Sequence, residues 1–315
     1  MLGSPLTELL LLVGGAAFLY AGAELLVKGA SDLALAVGLK ASTVGVTVIA
    51  FATTAPELFV SLLGAVTVST DVGLGTILGS NIANIGLVLG VSALIRPLDV
   101  SQTVFERHVP FMALAALLLV GLGWNGRIGR PGGVLLLGVL VAFTVVVMRR
   151  IRRTQSGIST AERAEMPDAS LRDVAAVVGG IVALLLGSQW LIDGGESLLS
   201  AAGFSDIFIG LTVLALGTSL PELAASVVAA VRGEAEFSVG NVVGSNIYNV
   251  LAVIGIIAVI RPIGVSPGVR GFEFPALLAF TALFVGLMYR GQRLSRVDGA
   301  VLIAAYGVFA YLLFP

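Results

Sequence analysis

The sequence predicts an all-α polytopic membrane protein, with ten transmembrane helices in two inverted-topology five-helix repeats. Three observations carry that prediction. The 315-residue chain is 57% hydrophobic and only 12% charged, with mean hydropathy +1.04; an ordinary soluble domain carries roughly 25% charged residues. Apolar runs of spanning length recur along its whole length. A single ungapped offset lays the first half of the chain over the second.

The spans follow in order from their charged, Pro and Gly punctuation. They run over about 6–27, 38–66, 72–95, 106–123, 131–150, 173–200, 207–231, 238–260, 272–289 and 297–314. The second and seventh are longer than one straight span needs and contain Pro56 and Pro221, so each is read as a broken or kinked helix. The N-terminus lacks the basic region of a cleavable signal, and the first apolar run is long enough to span and stay. Residues 151–172, "IRRTQSGISTAERAEMPDASLR", mix both charges with Ser, Thr and Pro. They read as a solvated linker, too short for a regulatory domain, between a first repeat at 1–150 and a second at 173–315.

Basic residues orient the chain. With the linker in the cytoplasm and ten spans, both termini lie outside. Arg127, Arg130, Arg261 and Arg270 are then external, and the other fourteen of the eighteen Lys and Arg are cytoplasmic. This is a strong positive-inside bias in a cell membrane, and an error in the span count would spoil it. Other classes are excluded. A net charge of −1 gives no footprint for nucleic acid. The absence of cysteine removes thiolate chemistry, and no HExxH motif is present, so the chain does not read as an enzyme. No cofactor and no protein partner is read beyond the lipid bilayer.

The repeat is specific. "VTVIAFATTAPELFVS" (46–61) returns as "LTVLALGTSLPELAAS" (211–226), which carries Glu57 onto Glu222, an offset of 165. The same offset carries "GTILGSNIANIGLVLG" (75–90) onto "GNVVGSNIYNVLAVIG" (240–255), within motif regions 45–90 and 210–255. Five spans per half is odd, so the second half enters the membrane from the opposite side. That is the plan of many secondary transporters, with a site at the midplane between the halves.

The repeated residues are polar and ionisable, and such residues inside a membrane are expensive unless used. Thr53, Thr54 and Glu57 lie within about one helical turn, and Thr218, Ser219 and Glu222 repeat the set. Pro56 and Pro221 free the carbonyls of Ala52 and Gly217. Ser80 with Asn84, and Ser245 with Asn249, are one turn apart, placed to complete a coordination shell or to hold the glutamates. Gly75, Gly79, Gly240 and Gly244 form small-xxx-small seams for close helix approach. No Lys or Arg lies centrally in any span. The two carboxylates face each other across the repeat axis, and as an ionised pair they require protons or metal cations. Hard cations such as Na⁺ and Ca²⁺ favour such oxygen ligands; two negative charges match one Ca²⁺ or two Na⁺. His108 reads as a loop residue without a role. Glu24, whose repeat mate is Gln189, lies outside the core, and Trp124 and Trp190 read as interfacial anchors.

These motifs resemble the sodium/calcium exchanger branch of the Ca²⁺/cation antiporter superfamily, prokaryotic type, across the whole chain. The resemblance implies Na⁺/Ca²⁺ antiport by alternating access, with the first and sixth spans sliding across a four-helix core. It implies as ion ligands Thr53, Thr54, Glu57, Thr218, Ser219 and Glu222, completed by Ser80, Asn84, Ser245 and Asn249. The backbone carbonyls of Ala50 and Ala215 are added to them. Some relatives carry Asp where this chain has Asn249, which argues against K⁺ co-transport. The Thr-Thr-Ala-Pro-Glu and Thr-Ser-Leu-Pro-Glu patterns favour Na⁺ over H⁺ coupling. An H⁺-coupled cation antiporter is the alternative within the same fold. A channel with a carboxylate ring is a poorer fit, since two carboxylates make a poor ring.

Overall fold

The structure is a computed structural model, and it describes residues 5–39, 41–54, 57–58, 61–62, 65, 70–156, 166–201 and 217–313. Among them the chain is helical almost throughout. The helices are α1 (Pro5–Ala36), α2 (41–53), α3 (70–95), α4 (Val104–Gly123), α5 (Arg130–Ser156), α6 (Leu171–Ala201), α7 (Leu220–Arg232), α8 (Ala235–Ile260), α9 (Pro267–Tyr289) and α10 (Arg296–Leu313). Eight of these are long and apolar enough to cross a membrane; α2 and α7 are the shorter two. The runs expected at 38–66 and 207–231 lie partly outside the described residues.

The offset of 165 recurs in the helix bounds as well as in the residues. It carries the bounds of α3 (70–95) onto those of α8 (Ala235–Ile260) and brings α4 onto α9 within two residues at either end. Wide π-type turns open at Asn84 in α3 and at Asn249 in α8, again one offset apart. Such turns cluster at functional sites because they re-aim side chains within an otherwise regular helix.

Two antiparallel two-residue ladders pin the ends of the helices. β1 (Leu98–Asp99) pairs with β4 (Arg293–Leu294), and β2 (Arg127–Ile128) pairs with β3 (Ile263–Gly264). β1 precedes α4 and β2 follows it, so the ladders stand at opposite ends of a 20-residue helix, about 30 Å long. Each ladder joins the two halves, and β1 lies one offset from β3. At the β2–β3 end, Arg130 donates to the carbonyl of Val259 at 3.1 Å and Arg270 to that of Trp124 at 3.3 Å. Three of the four arginines read as external (Arg127, Arg130 and Arg270) are thus held at one end of the molecule.

α3 and α8 form the centre, each with 78% of its spanning window buried, against 17% for α10. One hydrophobic cluster surrounds them with α4, α5 and α9, including Leu78, Leu89, Phe143, Val243, Leu251 and Phe274. A second, separate cluster joins α1, α6 and α7 through Leu26, Val177, Leu184 and Val228, with Ile49 and Phe237. α1 and α6 run alongside each other on a glycine seam. A Cβ at Gly22 would stand 2.9 Å from the carbonyl oxygen of Gly180, and one at Gly15 would stand 2.8 Å from that of Gly187. Gly15 and Gly22 lie one offset from Gly180 and Gly187, so both helices bring the same face to the contact.

Several expectations shift. α1 and α6 are longer than the 6–27 and 173–200 runs, because the helices continue through polar ends that water or neighbours can satisfy. The helix of the fifth span continues to Ser156, into the expected linker. His108 is buried, within the first turn of α4, with its ring 6.0 Å from that of Phe143; the charged neighbours Glu106 and Arg107 suggested a loop, but they occupy the exposed face of that turn. Glu24, as expected, takes no part in the centre and pairs with Arg232. Trp124 is exposed, whereas Trp190 packs on Phe18 with ring centroids 4.7 Å apart. Of the four expected seam glycines, Gly244 meets α2, where a Cβ would stand 2.6 Å from the carbonyl oxygen of Val46; nothing described lies within 4 Å of a Cβ at Gly75 or Gly79.

Candidate cation site

Local backbone breaks build the site. In the second half, Thr218 and Ser219 form a turn, and α7 starts at Leu220 with Pro221 in its first turn. Pro suits a helix start, where its missing N–H is no loss. In the first half, α2 ends at Thr53 and Thr54 is already in a turn; Pro56 lies outside the described residues. The second acidic motif therefore starts at a helix break, as Pro221 predicts, and the first follows a break at Thr54. The carbonyl that Pro221 frees, on Gly217, accepts a hydrogen bond from the Ser188 hydroxyl of α6 at 2.6 Å.

The two glutamates come together. Glu57 and Glu222 are each 0% exposed and close enough to act on one another electrostatically. Among the described residues no Lys or Arg forms an ion pair with either. No group of three or more His, Asp or Glu occurs among those residues, so the local charge comes from this pair.

Hydroxyls from both halves reach Glu222. Ser245 donates to Glu222 Oε1 at 3.4 Å, and the Thr53 hydroxyl reaches Glu222 from the opposite half. Thr53 Oγ1 also lies 3.4 Å from Asn241 Oδ1, and Asn241 in turn donates to Ser226 at 3.3 Å. Ser80 stands 3.2 Å from Ser219 and 3.4 Å from Thr218, hydroxyl to hydroxyl. Asn84 and Asn249 are fully buried. Eleven of the twelve residues named from the sequence lie among the described residues, and all eleven are buried. The Ala50 carbonyl is engaged in the helix, accepting from the Thr54 amide at 3.0 Å. Ala215 lies outside the described residues.

The donor set is oxygen throughout, and much of it is unspent. Thr54 Oγ1, both carboxylate oxygens of Glu57, Glu222 Oε2, Asn84 Oδ1 and Asn249 Oδ1 are buried without a hydrogen-bond partner among the described residues. A buried acceptor left unsatisfied costs about 1–3 kcal/mol, more when charged. Oxygens of this kind are the ligands that hard cations take.

Sequence reasoning passed over three contributors. Asn81 and Asn246, inside the very GSN motifs it used, bridge the halves: each donates its side-chain amide to the other's backbone carbonyl, at 3.4 and 3.2 Å. Their recurrence at the offset was a visible signal. Ser188 carried no such signal, since its repeat mate is Ala23.

This architecture defines a class: a polytopic membrane protein whose breaks in apolar helices converge on a buried, acidic, oxygen-lined centre. Comparison with known proteins then places it. The family model described as sodium/calcium exchanger protein matches residues 7–149 and 173–314, and the chain belongs to that family. It is 36% identical to a putative antiporter, CaxA, of Alkalimonas amylolytica, over 95% of this chain and 96% of the relative. It is 26% identical to the sodium/calcium exchanger MaX1 of Methanosarcina acetivorans, over 97% and 98%. A solved structure of the sodium–calcium exchanger NCX_Mj superposes with TM-score 0.84 at 26% identity, covering 99% of this chain and 100% of that one.

Proposed function

We propose that this protein is a secondary antiporter that exchanges Na⁺ for Ca²⁺ by alternating access and exports Ca²⁺ from the cell. The observation that carries the reading is the pairing of Glu57 with Glu222: two buried carboxylates, one offset apart, with unspent oxygens around them and no cationic partner described. Two negative charges balance one Ca²⁺ or two Na⁺, so the two ions compete for overlapping shells, and competition at one alternately opened site couples their fluxes. The ligands in this reading are Thr53, Thr54, Glu57, Ser80, Asn84, Thr218, Ser219, Glu222, Ser245 and Asn249, with the carbonyls of Ala50 and Ala215.

The layout in this reading is ten spans, five in 1–150 and five inverted in 173–315, in the plasma membrane with both termini outside and the linker in the cytoplasm. The matched bounds of α3 and α8, and the two cross-half ladders, support the inverted repeat. α1 and α6, joined by their glycine seam and clustered apart from the centre, are the pair that slides.

The test is ⁴⁵Ca²⁺ uptake into proteoliposomes with outward Na⁺, K⁺ or H⁺ gradients imposed one at a time. Uptake driven by Na⁺ alone is expected. Uptake driven by a pH jump without Na⁺ selects H⁺ coupling instead, and rapid uptake without any gradient selects a channel.

A further inference from the structure

The asparagines of the two GSN motifs make a closed, symmetric set. Asn84 Nδ2 donates to Asn246 Oδ1 at 3.1 Å, and Asn249 Nδ2 donates to Asn81 Oδ1 at 3.0 Å. Asn246 Nδ2 donates to the backbone carbonyl of Asn81 at 3.2 Å, and Asn81 Nδ2 to that of Asn246 at 3.4 Å. All four side chains are at most 2% exposed.

The polarity of this set is dictated by its backbone members. A main-chain carbonyl only accepts, so the NH₂ end of Asn246 must face Asn81 O. The Oδ1 end of Asn246 is then the end presented to Asn84, and it accepts only from the Asn84 NH₂. The remaining end of Asn84 is its carbonyl oxygen, turned away from the bridge. The same steps run from Asn81 to Asn249. Accordingly, Asn84 Oδ1 and Asn249 Oδ1 are buried and unpartnered among the described residues, like both carboxylate oxygens of Glu57 and Oε2 of Glu222. An asparagine set serving only to glue helices would spend both ends of each amide. Without the bridge either amide could rotate and offer the site two N–H donors, which repel a cation.

We propose that Asn81 and Asn246 are positioning residues that hold Asn249 and Asn84 with their carbonyl oxygens toward the cation, each acting on the asparagine of the opposite half. This rests on the exchanger reading above. The arrangement also ties the two halves of the site together, since each oxygen is aimed by a residue of the other repeat. Partners that orient metal ligands in this way typically matter roughly ten- to a hundredfold in metal affinity.

The test is a set of double-mutant cycles read by equilibrium ⁴⁵Ca²⁺ binding to the purified full chain, with melting temperature recorded for each variant. Asn246→Leu is expected to weaken binding about tenfold or more, and to do nothing further in an Asn84→Ala background. It should keep its full effect in an Asn249→Ala background. Asn81→Leu should show the reverse pattern. A general structural role would add equally in both backgrounds, and that result overturns the proposal. If Asn84→Ala and Asn249→Ala bind Ca²⁺ as wild type does, the ligand reading itself fails. If those two weaken binding and the Leu variants do not, the positioning role alone fails. Should a Leu variant not fold, amide NMR of the wild type decides: the NH₂ protons of Asn84 and Asn249 should exchange slowly with and without Ca²⁺, and fast exchange contradicts the bridge.

Discussion

Ser188 donates its hydroxyl to the carbonyl oxygen of Gly217 at 2.6 Å, across the gap between α6 and the break before α7. Pro221 leaves that carbonyl without its helical partner, and α6 supplies the replacement. Ser188→Ala strands a buried acceptor, at a cost of about 1–3 kcal/mol. The expected outcome is a lower melting temperature of the purified protein, together with a changed exchange rate at unchanged Ca²⁺ affinity. An unchanged melting curve would show that the carbonyl has another partner.

The seam between α1 and α6 tolerates no side chain. A Cβ at Gly180 would stand 2.6 Å from the Leu26 amide nitrogen and 2.7 Å from the Gly22 carbonyl oxygen, both backbone atoms that cannot step aside. Its neighbour Gly179 is exposed, with nothing within 4 Å. Gly180→Val is expected to separate the helices and to cut folded yield and melting temperature sharply. Gly179→Ala should be neutral or stabilising by up to about 1 kcal/mol, the helix preference of Ala over Gly. Comparing the two variants by thermal melting isolates the contact from the loss of glycine.

A polar latch joins α1 to the turn between α7 and α8. Ser31 donates to Glu234, and Arg232 pairs with Glu24. Burial, the largest cause, pushes the Glu234 carboxyl above its ordinary value. The Ser31 hydroxyl and Arg232 oppose the push, and Asp32 and Glu24 add to it. A raised folded value means that the folded protein holds the proton more tightly than the unfolded chain. Stability from this group is therefore present in acid and declines as pH rises from the ordinary Glu range through the raised one. Glu234→Gln should remove that decline, so that its melting temperature meets or exceeds wild type at alkaline pH. Melting curves over a pH series test it; a wild-type slope in the variant refutes the assignment.

Much of this was legible in the sequence, for reasons that differ by residue. The spans follow from hydropathy, because a bilayer leaves a chain few alternatives. Glu57 and Glu222 stood out because a membrane carboxylate needs a reason, and the offset made them a pair. The helix breaks followed from Pro221 by backbone chemistry alone. What stayed hidden depends on neighbours distant in the chain. Ser188 lies 29 residues from Gly217 and has no repeat mate of its kind. Asn81 was visible as a repeated residue, but its partner Asn246 is 165 residues away, and only their geometry separates an amide that faces a cation from one that aims it. His108 was misplaced because charged neighbours say nothing about which face of a turn is buried.

The most direct test of the whole account is Na⁺-driven ⁴⁵Ca²⁺ uptake by proteoliposomes bearing wild-type protein, Glu57→Gln or Glu222→Gln, at matched protein content. Each neutral isostere removes one of the two charges that hold the ion. The account predicts uptake at background in both variants while each still folds. Uptake at wild-type level in either one would contradict it.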